Sequence, residues 1–127
     1  MPQVKLVITR LAQSDLTRIY SFLNDLGATK QANAVMQLLR SSFLATQDNT
    51  HNGRTYDLSV DGEVLRHVRE VIVPYGKSGY SYLFWHDEAN NQIVVLTVKH
   101  FRENAYRLAL LSFSSVSYTH LTLPTTP

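Results

Sequence analysis

The chain has 127 residues, no cysteine, and 12 Lys and Arg against 10 Asp and Glu, a net charge of +2. That length suits one domain with its own core, and the lack of thiols excludes disulfides and cysteine-based zinc or redox chemistry. The charge is only mildly basic, so nucleic-acid binding would need the cations gathered on one face, and no apolar run is long enough for a membrane helix.

The start, Met1-Pro2-Gln3-Val4-Lys5, carries no basic segment followed by a long apolar run, so no signal peptide is read and a cytoplasmic protein is expected. Val4 to Thr9 is apolar and β-branched, which predicts a short strand. Ser14 offers an N-cap, and Leu16, Ile19, Tyr20, Leu23 and Leu26 follow at helical spacing. Gly27 can end that helix in a left-handed conformation. Thr29 offers a second cap, with Ala32, Val35, Met36, Leu39 and Phe43 on one face. The short link between them predicts an antiparallel helical hairpin.

Gln47 to Thr55 is polar and contains Gly and Asn, so it reads as a loop. Three strand-like segments follow. His67 to Val73 is halted by Pro74, Gly79 to His86 is rich in aromatics, and Gln92 to Lys99 is rich in Val and Ile. Short turn-rich links predict an antiparallel meander. The order β-α-α-β-β-β implies a two-layer α+β domain, the helix pair packed on a mostly antiparallel sheet. In the middle strand Tyr80, Tyr82, Phe84 and His86 share one face, and Ser81, Leu83 and Trp85 the other. Both faces are largely apolar, so part of the sheet is expected to meet a partner.

The segment Ser112 to Pro127 holds no Lys, Arg, Asp or Glu, is dominated by Ser and Thr, and ends in two prolines among threonines. It resembles translated sequencing-adapter read-through. The domain is therefore taken as residues 1–111 and the remainder as a non-native or disordered tail.

Two segments carry a family resemblance. Arg69-Glu70-Val71-Ile72-Val73-Pro74-Tyr75-Gly76-Lys77-Ser78-Gly79-Tyr80 resembles a strand and turn of ParE-type toxins, and Val98-Lys99-His100-Phe101-Arg102-Glu103-Asn104-Ala105-Tyr106 resembles the ending of their last strand. The resemblance places the chain in the RelE/ParE toxin superfamily, in its ParE-like branch. It implies a toxin of a type II toxin–antitoxin (plasmid stabilisation) pair, held inactive by a cognate antitoxin. Two activities are implied for this superfamily: poisoning of DNA gyrase, and ribosome-dependent, metal-independent cleavage of mRNA. Fold alone does not choose between them.

Metal-free RNA cleavage needs a group to activate the ribose hydroxyl, cations to neutralise the phosphorane, and an acid for the leaving oxygen. The resemblance offers Arg102, Tyr106 and His100 for those catalytic roles. Arg102 and Tyr106 would share a helix face if a helix began after the last strand. Arg69, Lys77 and Lys99 are the candidates for contacting a target or its phosphates. The middle strand has no Lys or Arg, where RelE-like relatives would supply an arginine. That departure favours the gyrase-directed branch. Against these roles stand ordinary structural ones: an ion pair or strand-end cap for Arg102 and Glu103, a sheet-end hydrogen bond for His100, packing at the sheet edge for Tyr106. No metal site, cofactor or small-molecule ligand is implied. His51, His67, His86 and His100 lack metal-ligand spacing.

Overall fold

The computed structural model describes residues 3–107. The Ser-Thr tail from Ser112, and the boundary placed before it, lie outside the described residues. The elements run β1 (Lys5–Ile8), α1 (Arg10–Asp25), α2 (Thr29–Asp48), β2 (Arg54–Thr55), β3 (Leu58–Val60), β4 (Glu63–Leu65), β5 (Val68–Tyr75), β6 (Ser78–Asp87) and β7 (Gln92–His100). The main sheet has the order β1-β7-β6-β5-β2, and β3 and β4 form a separate hairpin. Among the described strands only β1 runs parallel to its neighbour, β7. The expected α+β architecture is present, with the meander intact and the hairpin β3–β4 added to it.

The first helix starts earlier than Ser14. Thr9 ends the strand and caps the helix at once, its Oγ1 accepting from the N–H of Ala12 at 3.1 Å. Gly27 stops α1 as expected, with φ of 78° and with the Ala28 N–H donating back to Leu23 O at 3.0 Å. Thr29 is the first helical residue rather than the cap, and its hydroxyl donates to Asn24 Oδ1 instead. The second helix runs past Gln47 to Asp48, so the expected loop begins two residues late. Pro74 does not halt β5. Strand β2 pairs only with Arg69 and Glu70, so the later part of β5 is an edge, where proline is tolerated.

Two cores lie on the two faces of the sheet. On one, Ile19, Val35, Leu39 and Phe43 of the helices pack against Val71, Tyr82, Phe84 and Val95. The buried Tyr82 hydroxyl is satisfied by Ser42 at 2.9 Å and Thr46 at 2.8 Å. On the other, Leu58, Val60 and Leu65 of the β3–β4 hairpin cover Val68, Leu83, Val94 and Leu96, with Tyr106 beside them. The second apolar face is thus covered in large part by the chain's own hairpin, while Ile72 of β5 stays exposed. Each such side chain contributes roughly 1.5–3 kcal/mol by burial, enough to hold two strands of three residues in place.

Strand β1 pairs with β7 only as far as Val95. Beyond that point α1 supplies the missing partners. Thr9 donates its hydroxyl to Leu96 O at 2.8 Å. Asp15 accepts from the Thr97 hydroxyl at 2.6 Å and from the Val98 N–H at 2.9 Å. A sheet edge that would otherwise leave polar groups unpaired is closed by two helix side chains.

Candidate functional site

The candidates divide into three places. Lys77, His100 and Arg102 gather at one end of the sheet, where the β5–β6 turn meets the end of β7. Lys99 and Tyr106 lie on the second face. Arg69 sits near the start of β5, away from the rest.

At the first place, His100 is held on both ring nitrogens. Its Nδ1 accepts from the Arg102 N–H at 3.0 Å, and its Nε2 lies 3.1 Å from Ser78 Oγ. That pattern requires the neutral ring with its proton on Nε2. Burial, then the nearby Arg102 charge and that of Lys99, push its pKa below the ordinary value against the opposing pull of Glu103. The ring also stands edge-on to Tyr80, centroids 5.0 Å apart. Lys77 is exposed at the tip of the turn, beside Gly76, whose φ of 60° lets the chain reverse. Arg102 is exposed.

Residues 101–107 form turns and no helix, so Arg102 and Tyr106 do not share a helix face. The fold of this segment comes from Glu103. Its carboxylate accepts from the His100 N–H at 2.8 Å and from Arg18 on α1 at 2.5 Å. Arg18 also pairs with Asp15. Glu103 therefore caps the strand end and ties it to the first helix.

At the second place, Tyr106 turns back under the sheet. Its hydroxyl donates to Glu70 Oε2 at 2.6 Å and lies 2.7 Å from Ser81 Oγ. The other Glu70 oxygen accepts from Arg54, the closer nitrogen at 2.8 Å. Burial, then the bond to Glu70 and its charge, raise the Tyr106 phenol far above its ordinary value, opposed by Ser81. Burial alone would raise Glu70, but the bonds from Tyr106 and Arg54 and the positive charges of Arg54 and Lys99 outweigh it, and its pKa is lowered. Lys99 lies 5.4 Å from the Tyr106 ring centroid, a cation–π contact. The Lys99 ammonium also reaches Glu103 O at 3.4 Å.

At the third place, Arg69 donates through Nε to Asn52 O at 3.0 Å and through Nη2 to Gly53 O at 2.8 Å. These bonds fasten the loop after α2 to the sheet. Glu70, Arg54, Ser81, Asp15 and Arg18 were not expected as members of these networks. An acid in the apolar run of β5 was the available signal for Glu70, since a buried carboxylate demands a partner.

Sequence comparison agrees with this architecture. The sequence model described as ParE toxin of type II toxin-antitoxin system, parDE, matches residues 6–105. The chain belongs to the ParE toxin family. Its membership makes it the toxin half of a pair whose other half is an antitoxin. A solved structure described as the chromosomal ParDE TA system from P. aeruginosa is similar, with a TM-score of 0.59 over 77% of this chain and 96% of that chain at 21% identity. At that identity the likeness carries the ParE fold alone. No curated protein matches the chain. Among the described residues of this ParE chain, no group of three or more His, Asp or Glu could hold a metal ion, and no helix is long and apolar enough to cross a membrane.

Proposed function

We propose that this ParE-family chain acts in the cytoplasm as a binding poison of DNA gyrase, neutralised by its own cognate antitoxin, and performs no chemistry itself. The observation that carries the reading is the state of Tyr106. Its phenol is buried, raised in pKa and bonded to Glu70 and Ser81, which serves the second core and keeps the hydroxyl proton away from any leaving group. His100 is likewise committed on both nitrogens. Strand β6 supplies no cation for a scissile phosphate. The exposed cations Lys77 and Arg102 stand together at the sheet end, with Lys99 nearby, and suit contact with an acidic or nucleic-acid-bound target surface.

The experiment is inducible expression followed by two readouts: supercoiling and trapped cleavage complexes for gyrase, and positioned cuts in ribosome-bound mRNA. Loss of supercoiling with intact mRNA is the expected result. Codon-positioned cuts with normal supercoiling would instead identify the RelE-like activity, a ribosome-dependent and metal-independent mRNA endonuclease using His100, Arg102 and Tyr106.

A further inference from the structure

Away from the sheet-end cations, a groove of about 750 Å³ opens where β5 begins and β6 ends. Its walls are the loop after α2, the β3–β4 hairpin and the connection between β4 and β5. The size falls in the range of small-ligand sites. We propose that this groove binds a phosphate-type oxyanion, free or carried on a nucleotide, between Arg66, Arg69 and the imidazoles of His51, His67 and His86.

Three observations carry the proposal. First, the groove collects five basic side chains from three separate stretches of chain, against two acids, Asp57 and Glu88. Neither arginine is in an ion pair among the described residues. Second, Arg69 is already oriented. Two of its donors are held by the Asn52 and Gly53 carbonyls, which leaves further N–H groups of the fork and a full positive charge with no carboxylate on it. Third, His67 adopts φ of 64°, a left-handed conformation that a residue with a Cβ takes at a cost and that collects at functional positions. Its carbonyl is fixed by the His86 N–H at 3.0 Å, so the two histidines are set side by side at the mouth of the sheet. The remaining wall mixes apolar and aromatic side chains, Tyr56, Leu58, Val64 and Leu65, with the hydroxyls of Thr50, Thr55 and Ser59, which suits a base or sugar attached to the phosphate.

The site is independent of the gyrase reading, because none of the sheet-end cations lines it.

The test is calorimetric titration of the purified full chain with inorganic phosphate and with AMP in separate arms. Sulfate serves as a third probe, a tetrahedral dianion with no sugar or base attached. The expected result is saturable binding that weakens as salt is raised, as contacts to cationic side chains require. Tighter binding of AMP than of phosphate assigns a nucleotide source, and equal binding assigns the free anion. Arg66→Gln and His67→Gly should each weaken binding roughly tenfold, a loss of one charge-assisted contact. Glycine accepts the positive φ, so His67→Gly keeps or raises the melting temperature and isolates the imidazole. Absence of saturable binding by any of the three anions, or undiminished binding in both variants, would overturn the proposal.

Discussion

The Tyr106 hydroxyl and the Glu70 carboxylate meet at 2.6 Å, 36 residues apart in the chain, beneath the second face of the sheet. This bond closes a network that runs from exposed Arg54 through Glu70 to Tyr106 and Ser81. It explains why the segment after β7 folds back across the sheet instead of forming a helix. A tyrosine with a buried polar tip needs a partner, and Glu70 is the charged acceptor within reach.

Tyr106→Phe removes that donor while keeping the ring. The hydrogen bond to a charged group is worth about 1.5–3 kcal/mol, and Arg54 still holds one Glu70 oxygen. The expected outcome is a fall in stability of that size by urea unfolding. Growth arrest should persist in proportion to the folded protein. A fully stable variant that had lost all toxicity would restore Tyr106 as a candidate acid.

Asp15→Ala should be more damaging than its place on a helix suggests. The carboxylate is buried and serves Thr97, Val98 and Arg18 together. Its removal leaves the buried Thr97 hydroxyl and the Val98 N–H without their acceptor, at about 1–3 kcal/mol each, while Arg18 keeps Glu103. Asp15→Asn keeps one acceptor oxygen and should lose less. Equal stability of Asp15→Ala and wild type would show that β7 does not depend on α1 for its edge.

Gly53 is needed for its lack of a side chain. Its φ is 79°, and a Cβ there would run into the backbone carbonyl of Glu70. Gly53→Ala must therefore displace the β2 edge that Arg69 fastens, at a cost of about 1–3 kcal/mol. The loss should appear in thermal unfolding, and Gly62→Ala, which meets nothing in space, separates the steric part from the conformational one.

How much of this was legible before the structure depended on range. The helix stripes, the Gly27 stop and the three long strands each repeat a pattern over eight or more residues, so they could be read locally. Strands β3 and β4 have three residues each, too short for a period to show. Their one local signal was Asp61-Gly62, both with positive φ, the pair that favours a tight hairpin turn. Without that hairpin, the apolar side chains on both faces of β6 had no evident cover for one of them within the chain. The candidate site was legible as a motif but not as a geometry. The run Lys99-His100-Phe101-Arg102-Glu103 gives residue types, whereas the partners that fix their roles, Arg18, Ser78 and Glu70, lie far away in sequence.

His100 gives the chain a pH dependence of defined sign. Its pKa in the folded state is lowered from 6.5, chiefly by burial, so the unfolded chain binds its proton first as pH falls. Stability should decline as pH drops through that ordinary value, and the decline should stop below the folded one. His100→Asn keeps an acceptor for the Arg102 N–H without titrating. Melting temperatures between about pH 7 and pH 5 should fall more steeply in wild type than in the variant. Glu70, lowered from 4.5, acts only at more acid pH and does not confuse the comparison. Parallel curves would show that the two ring contacts do not depend on the neutral form.

The sheet-end cations give the sharpest contrast with catalysis. Lys77 and Arg102 are exposed, and their side chains support no core contact, so Lys77→Ala and Arg102→Ala should leave stability within about 0.5 kcal/mol of wild type. If they contact a target through charge, each should weaken inhibition by several-fold, the double variant should lose roughly the product, and added salt should shrink the difference. A catalytic arginine behaves otherwise: Arg102→Ala alone would abolish activity by orders of magnitude, with Lys77→Ala nearly silent and salt without effect on the ratio. Dose–response curves for gyrase supercoiling with the three variants at two salt concentrations distinguish these patterns. Additive, salt-sensitive losses are the expected result, because the geometry leaves these two side chains facing solvent while His100 and Tyr106 are held by the fold.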